Sequence, residues 1–306
     1  MPLPYLRALF RWAQVPAVSH LGLIALMTLL SASQLTWVAN GSPHNMEELG
    51  SLYMREDLLP DDTPVVIIGD VHGCIKELNQ LIEIITNQLG DNVHYIFAGD
   101  MVAKGPGSAE VVAKAIELNA SCVRGNHDQR VLTSRYFQDR NLPIDPTLPS
   151  GLGIKETHWE IAQAFSPEAI HYLQQCPLVL KLPAQYQGLV VHAGVNPTKS
   201  LANQTPVELM TMRNMLGDQA VPIMKEGRPW FDVWEEAVAN NKIAVDFEGL
   251  ERIYYGHAAS RRIQDLPSSL GLDSACVTGG QLTAVILPGN QLVSVDCDVY
   301  EIKIQK

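Results

Sequence analysis

Seven residues stand at the ends of five short apolar runs. Asp70 and His72 follow Val65-Val66-Ile67-Ile68, and Asp100 follows His94-Tyr95-Ile96-Phe97-Ala98. Asn126 and His127 follow Ser121-Cys122-Val123, His192 follows Gly188-Leu189-Val190-Val191, and His257 follows Arg252-Ile253-Tyr254-Tyr255. Their donor atoms are carboxylate oxygen, amide oxygen and imidazole nitrogen, without thiolate, a set that suits zinc, manganese, iron or cobalt. Two such ions held close together lower the pKa of a bridging water and so can supply a hydroxide nucleophile at neutral pH. A single strand-end aspartate would read as a cap or turn former, and a single internal histidine as a hydrogen-bonded core residue. That plainer reading must be repeated at five run ends, whereas a binuclear metal site explains them together.

The intervening sequence supplies elements to hold these residues. Val65–Ile68 is rich in β-branched residues, the pattern of a buried strand. Ile75 to Leu89 carries Leu78, Leu81, Ile82, Ile85 and Leu89 at helical spacing, and Ser108 to Leu118 predicts a second helix. A strand-turn-helix unit therefore repeats, and in an open α/β sheet ligands sit at the carboxyl ends of the strands. Further along, Thr157 to Ala164, Pro167 to Gln175, Val207 to Leu216 and Phe231 to Val238 read as helices. Leu282–Leu287 and Gln291–Val295 read as strands joined at Gly289-Asn290.

The N-terminus differs in texture. No Asp, Glu, Lys or Arg occurs from Trp12 to Met46, and Arg7 and Arg11 precede that span. This predicts a cytosolic tail over 1–14, a transmembrane signal anchor over 15–39, a connector over 40–64 and a catalytic domain over 65–306. The orientation would place the catalytic domain in a lumen. A cleaved signal peptide ending near Ser31-Ala32-Ser33, or an organelle-targeting segment, is the alternative.

Across 306 residues, 46% are hydrophobic and 18% charged, which excludes a disordered, collagen-like or coiled-coil chain. A formal net charge of -11 argues against nucleic acid as a partner, although bound metal can reverse the charge locally for an anionic substrate. The five cysteines are scattered without C-x-x-C spacing, so they read mostly as small buried hydrophobes. Nothing in the composition sets an oligomeric state.

The motifs Gly69-Asp70-Val71-His72-Gly73, Gly99-Asp100 through Gly105-Pro106, Arg124-Gly125-Asn126-His127-Asp128, His192-Ala193-Gly194 and Gly256-His257 resemble, in order, those of the calcineurin-like metallophosphoesterases. The resemblance implies an α/β fold, a two-sheet sandwich flanked by helices (αββα), here preceded by the N-terminal transmembrane helix. It implies Asp70 and His72 as ligands of one divalent ion, Asp100 as a bridge, and Asn126, His192 and His257 as ligands of a second. Zinc is expected first, with manganese, cobalt, iron or magnesium as substitutes. His127 would be the acid for the leaving group. Arg124, Lys104 and Arg213 would contact substrate phosphate, with Arg261-Arg262 as a looser extension. A non-catalytic scaffold reading would predict erosion of the ligand positions, and none is eroded.

Protein Ser/Thr phosphatases of this superfamily have an Asp-Arg pair where this chain has Ala103-Lys104, and Glu where it has Asp128. These positions, with Gly105-Pro106-Gly107-Ser108, resemble the bacterial diadenosine tetraphosphatase branch instead. With the anchor added, the architecture resembles the fungal vacuolar zinc-dependent endopolyphosphatases. The resulting expectation is an endopolyphosphatase cutting inorganic polyphosphate internally at a vacuole membrane. Dinucleoside polyphosphate hydrolysis is the alternative, and protein phosphatase a third. Because Ala103 cannot orient His127, the expectation is that Asp128 or Asp273 does, or that the leaving group needs little help.

Overall fold

The computed structural model describes residues 53–57, 60 and 63–301. One sheet runs in the order β1 (Met54–Glu56), β5 (Val179–Lys181), β6 (Gly188–Val191), β10 (Arg252–Tyr255), β12 (Ser269–Gly271) and β11 (Gln264–Leu266). The other runs β14 (Gln291–Asp296), β13 (Gln281–Leu287), β2 (Val65–Ile68), β3 (His94–Phe97) and β4 (Ser121–Cys122). A small third sheet is ordered β8 (Gln219–Val221), β7 (Asn214–Leu216) and β9 (Arg228–Pro229).

The period of two along β2 shows why its run is apolar throughout. Val65 and Ile67 enter the layer between the two large sheets, with Val190, Tyr254 and Leu270. Val66 and Ile68 face the opposite way, into a layer with Leu78, Leu81 and Val111. Each fully buried Val or Ile of this kind contributes about 1.5–3 kcal/mol relative to exposure. A polar residue at Ile67 would therefore break the joint between the sheets. Helices α1 (Ile75–Leu89) and α2 (Ser108–Glu117) bury amphipathic stripes on one outer face, and α1 stops at Gly90, whose φ is 77°. On the other outer face Trp230, Phe231 and Trp234 of α7 (Trp230–Ala239) pack with Val191, Ile253 and Tyr255. The expected two-sheet sandwich flanked by helices is thus present.

Four further helices complete this frame. Helix α3 (Asn126–Asp139) begins at the β4 strand end, α4 (Glu156–Ala164) packs beside it, and α5 (Pro167–Gln175) is capped by Ser166 Oγ on the Ala169 amide. Helix α6 (Pro206–Thr211) starts in a capping box between Thr205 and Glu208.

Several expectations are corrected here. The transmembrane anchor expected over 15–39 lies outside the described residues, and no helix among those described is long and apolar enough to cross a membrane. Helices α1, α2 and α7 are amphipathic and bury one stripe against a sheet. The membrane helix is therefore removed from the fold assignment, together with the membrane partner, lumenal orientation and vacuole-membrane location that depended on it. Residues 54–56, read as connector, form β1 and pair in parallel with β5. The helix read over 207–216 ends at Thr211, and 214–216 is strand β7, because Asn214 Nδ2 is drawn to the carbonyls of Ile223, Met224 and Glu226. Four cysteines are paired, Cys122 with Cys176 and Cys276 with Cys297, leaving Cys74 as a buried thiol.

Candidate metal centre

The ends of β2 and β3 are stapled together. The His72 amide donates to Asp100 O at 2.9 Å and the Gly73 amide to Met101 O at 2.9 Å. His72, Asp100 and His257 have φ of 48°, 49° and 72°, a left-handed conformation that side chains with a Cβ disfavour. Such strain persists only where surrounding contacts fix it, and it gathers at functional sites. Gly125 and Gly256 make room for the result. A Cβ on Gly125 would strike the Asp100 amide and Oδ1, and one on Gly256 would strike Asp70 Oδ1.

Each imidazole of the cluster has one nitrogen committed to a backbone carbonyl. His72 Nδ1 lies 3.1 Å from Val102 O, His192 Nδ1 2.8 Å from Ala98 O, and His257 Nε2 3.2 Å from Thr211 O. A carbonyl only accepts, so those nitrogens carry the protons and the other nitrogen of each ring presents a lone pair. These lone pairs converge on oxygens that also only accept. His192 Nε2 is 3.2 Å and His257 Nδ1 3.0 Å from Asn126 Oδ1, whose amide nitrogen is turned away to Gly151 O. His192 Nε2 is 3.4 Å from Asp100 Oδ1, and His72 Nε2 is 3.5 Å from Asp100 Oδ2 and 3.8 Å from Asp70 Oδ2. Acceptors facing acceptors in a buried site are unfavourable unless a cation lies between them. The Lys104 ammonium already donates to His72 Nε2 at 2.7 Å, answering one of these lone pairs with positive charge.

The electrostatics agree. Burial and the neighbouring Asp273 and Asp100 carboxylates push Asp70 well above the ordinary carboxylate range. Burial and Asp100 push Asp128 up to about 6. Burial would raise Asp100 as well, but His192, His127 and His72 outweigh it and hold it well below the usual range. Burial disfavours a charged His192, yet Asp100 overrides it and raises that imidazole to about 9, so without an ion the Nε2 lone pair takes up a proton, the positive charge that a bound cation would supply in its place. Four buried carboxylates, Asp70, Asp100, Asp128 and Asp273, thus crowd around one cation-hungry pocket. The donor set fits divalent ions, with Asp70, His72 and Asp100 on one side and Asp100, Asn126, His192 and His257 on the other.

Residues 63–273 match the family model described as calcineurin-like phosphoesterase. The chain belongs to that family. It is 29% identical over 244 residues to the asymmetrical bis(5'-nucleosyl)-tetraphosphatase of Bacillus velezensis, covering 75% of this chain and 91% of that one. It is 25% identical over 249 residues to the zinc-dependent endopolyphosphatase of Saccharomyces cerevisiae, covering 72% and 74% respectively. A solved structure provisionally assigned as a diadenosine tetraphosphatase superposes with a TM-score of 0.64 at 29% identity, over 81% of this chain and 99% of that one.

As a calcineurin-like phosphoesterase carrying clusters of candidate metal ligands, the chain is a metal-dependent phosphohydrolase. His127 sits against the cluster, edge-on to His72 at 4.9 Å, and its backbone N–H donates to Asp100 Oδ1 at 2.8 Å. Burial, against the pull of Asp100, holds its imidazole well below its ordinary pKa. Neither expected carboxylate orients it. Asp128 accepts the amides of Asp100, Met101 and Gly125, while Asp273 accepts the Ala275 amide and shares a hydrogen bond with Asp70. The partner of His127 Nδ1 is instead His158 Nε2, at 3.0 Å.

Of the expected phosphate contacts, Arg213 lies in the field of Asp100, Asp273 and Asp70, and Lys104 is held on His72. Arg124 is corrected: its guanidinium is buried and bonded to Gln174 O at 2.6 Å and Gln129 Oε1 at 3.3 Å, inside the protein. The cation the sequence reading missed is Arg130, whose Nη1 lies 3.4 Å from His127 Nε2 and whose Nε and Nη2 hold Gly151 O. It follows Asn126 by one helical turn on α3, so recognising that helix would have revealed it. A third cluster, Cys74, Glu77 and Cys276, is no metal site. Cys276 is in a disulfide, and burial with the Glu77 charge pushes the Cys74 thiol up to about 12.

Proposed function

We propose that this phosphoesterase hydrolyses a phosphoanhydride bond of a dinucleoside polyphosphate, with diadenosine tetraphosphate as the type substrate. The observation that carries this reading is the fate of the arginines expected to track a polymer. Arg261 Nη1 donates to Arg213 O at 2.9 Å, its Nη2 holds Asn214 Oδ1, and it stacks on Phe231. Arg262 Nη1 donates to Ser274 O at 2.7 Å, and Arg124 is buried. The remaining cations, Lys104, Arg130 and Arg213, crowd the metal centre, which suits a short run of phosphates. A long polyanion would meet a chain of net charge -11 beyond that point. The likeness to tetraphosphatases over nine-tenths of their length supports the same choice.

In this reading Asp70, His72 and Asp100 would hold one divalent ion, and Asp100, Asn126, His192 and His257 a second. When bound, the ions supply an activated water and neutralise phosphoryl charge. Arg130 and Arg213 contact the substrate phosphates and keep them aligned beside His127. The His127 imidazole donates a hydrogen bond to the departing oxygen. A phosphate leaving group needs less help than a serine alkoxide, which is consistent with Ala103 standing where protein phosphatases carry the orienting carboxylate.

The test is a comparison of kcat/KM on metal-reconstituted protein for diadenosine tetraphosphate, long-chain polyphosphate, tripolyphosphate and a phosphopeptide. Diadenosine tetraphosphate should lead by at least about tenfold, a margin of roughly 1.4 kcal/mol in transition-state stabilisation. A tenfold lead for polyphosphate would overturn the substrate claim and favour the endopolyphosphatase reading.

A further inference from the structure

We infer that His158 is a positioning residue that holds the proton of His127 on Nε2. Two short hydrogen bonds in series set the proton positions. The Lys155 backbone N–H, which can only donate, reaches His158 Nδ1 at 3.0 Å. His158 Nδ1 is therefore an acceptor, and a neutral His158 must carry its proton on Nε2. That nitrogen points at His127 Nδ1, 3.0 Å away. His127 Nδ1 in turn accepts, so a neutral His127 keeps its proton on Nε2. One contact opposes this: the Arg130 guanidinium, a donor only, lies 3.4 Å from that nitrogen, longer than the two 3.0 Å links, and must turn from it to substrate phosphate for Nε2–H to donate.

The setting enforces this arrangement. His158 is 1% exposed and lies in the first turn of α4, where the positive end of the helix opposes an imidazolium. Burial and the Arg130 charge also lower it to about 4, which keeps it neutral. A carboxylate in its place would accept from His127 Nδ1 and fix the opposite tautomer. The imidazole instead makes His127 a neutral N–H donor, suited to hydrogen-bonding a leaving phosphate rather than to protonating an alkoxide. The inference deepens the proposed function and rests on its assignment of His127 to the leaving oxygen.

The test combines a structural and a kinetic measurement on the full chain loaded with zinc. Nitrogen-15 NMR of histidine-labelled protein should show His127 as the Nε2–H tautomer, and His158→Phe should convert it to a mixture. In His158→Gln the side-chain amide can still donate to His127 Nδ1, so the Nε2–H tautomer should persist. On diadenosine tetraphosphate, His158→Phe should lower kcat about 10- to 100-fold with KM changed less than about threefold, and His158→Gln should recover at least half of that loss on a logarithmic scale. A wild-type His127 protonated on Nδ1 would overturn the inference even if the Phe variant failed to fold. So would an unaltered tautomer, or an unchanged kcat, in a folded Phe variant. If the tautomers behave as expected while no protein cleaves the dinucleotide, the substrate reading fails and the positioning role stands.

Discussion

Asp100 Oδ1 accepts the backbone N–H of His127 at 2.8 Å, so the carboxylate central to the candidate metal cluster and the residue proposed to face the leaving oxygen are fixed to each other. The same oxygen lies 3.4 Å from His192 Nε2, and the other carboxylate oxygen lies 3.5 Å from His72 Nε2. Replacing Asp100 with Asn should lower turnover by at least about 100-fold, because the shared anionic ligand is lost while its neighbours remain. Elemental analysis alongside kinetics checks this. Near-normal turnover with both ions retained would refute the bridging role.

Arg130 and Arg124 separate a substrate contact from an internal cation. Arg130→Ala should raise KM for diadenosine tetraphosphate by about tenfold with a stable fold, the loss of one charge-assisted contact. Arg124→Ala should show mainly as destabilisation, by about 1–3 kcal/mol, because it strands the Gln174 carbonyl and the Gln129 side chain in a buried site. Thermal melts and steady-state kinetics on the two variants distinguish the cases. The reverse pattern would restore the sequence-based assignment of Arg124.

These two arginines also show what the sequence made legible. The candidate ligands could be read because each closes an apolar run, and burial between two layers is what makes such a run apolar. Arg124 was misassigned because adjacency to Asn126 does not say which way a side chain leaves a strand-to-helix turn. Arg130 and His158 were missed for a different reason. Helix α3 opens with Asn126-His127-Asp128-Gln129-Arg130, with no apolar stripe, because its buried groups are hydrogen-bonded to distant loops. His158 meets His127 only through the packing of α4 on α3, a contact that no local pattern encodes. Residues 214–216, read as helix within Val207 to Leu216, are strand because the contacts of Asn214 with distant carbonyls override the local pattern.

The Cys122–Cys176 bond ties the end of β4, just before the Asn126 turn, to the end of α5 across 54 residues of sequence. By loop entropy it should stabilise the fold by about 4 kcal/mol. A Cys122→Ser, Cys176→Ser double variant should show that loss as a lower denaturant midpoint. An unchanged midpoint would mean the bond contributes nothing to folding.

Asp57 predicts a specific acid sensitivity. Burial alone would raise its carboxyl, but hydrogen bonds from His94 and Ser121 and the Arg55 charge outweigh it and hold the group below its usual range. A carboxyl depressed on folding contributes stability that is complete above the unfolded value of about 3.9 and disappears as pH falls through the lower folded value. Asp57→Asn should therefore flatten the acid limb of unfolding free energy against pH and lower stability at neutral pH. An acid limb as steep in the variant as in the parent would show that Asp57 does not supply the effect.

The converging acceptors on Asp70, His72, Asp100, Asn126, His192 and His257 are proposed to hold two ions for hydrolysis. The direct measurement is a metal titration of chelator-stripped protein, following bound ions per chain together with diadenosine tetraphosphate hydrolysis. Negligible turnover is expected in the stripped protein, with binding of two zinc or manganese ions per chain and activity that returns as the second ion binds. Full turnover in the stripped protein, or saturation at a single ion with full activity, would contradict the two-ion assignment.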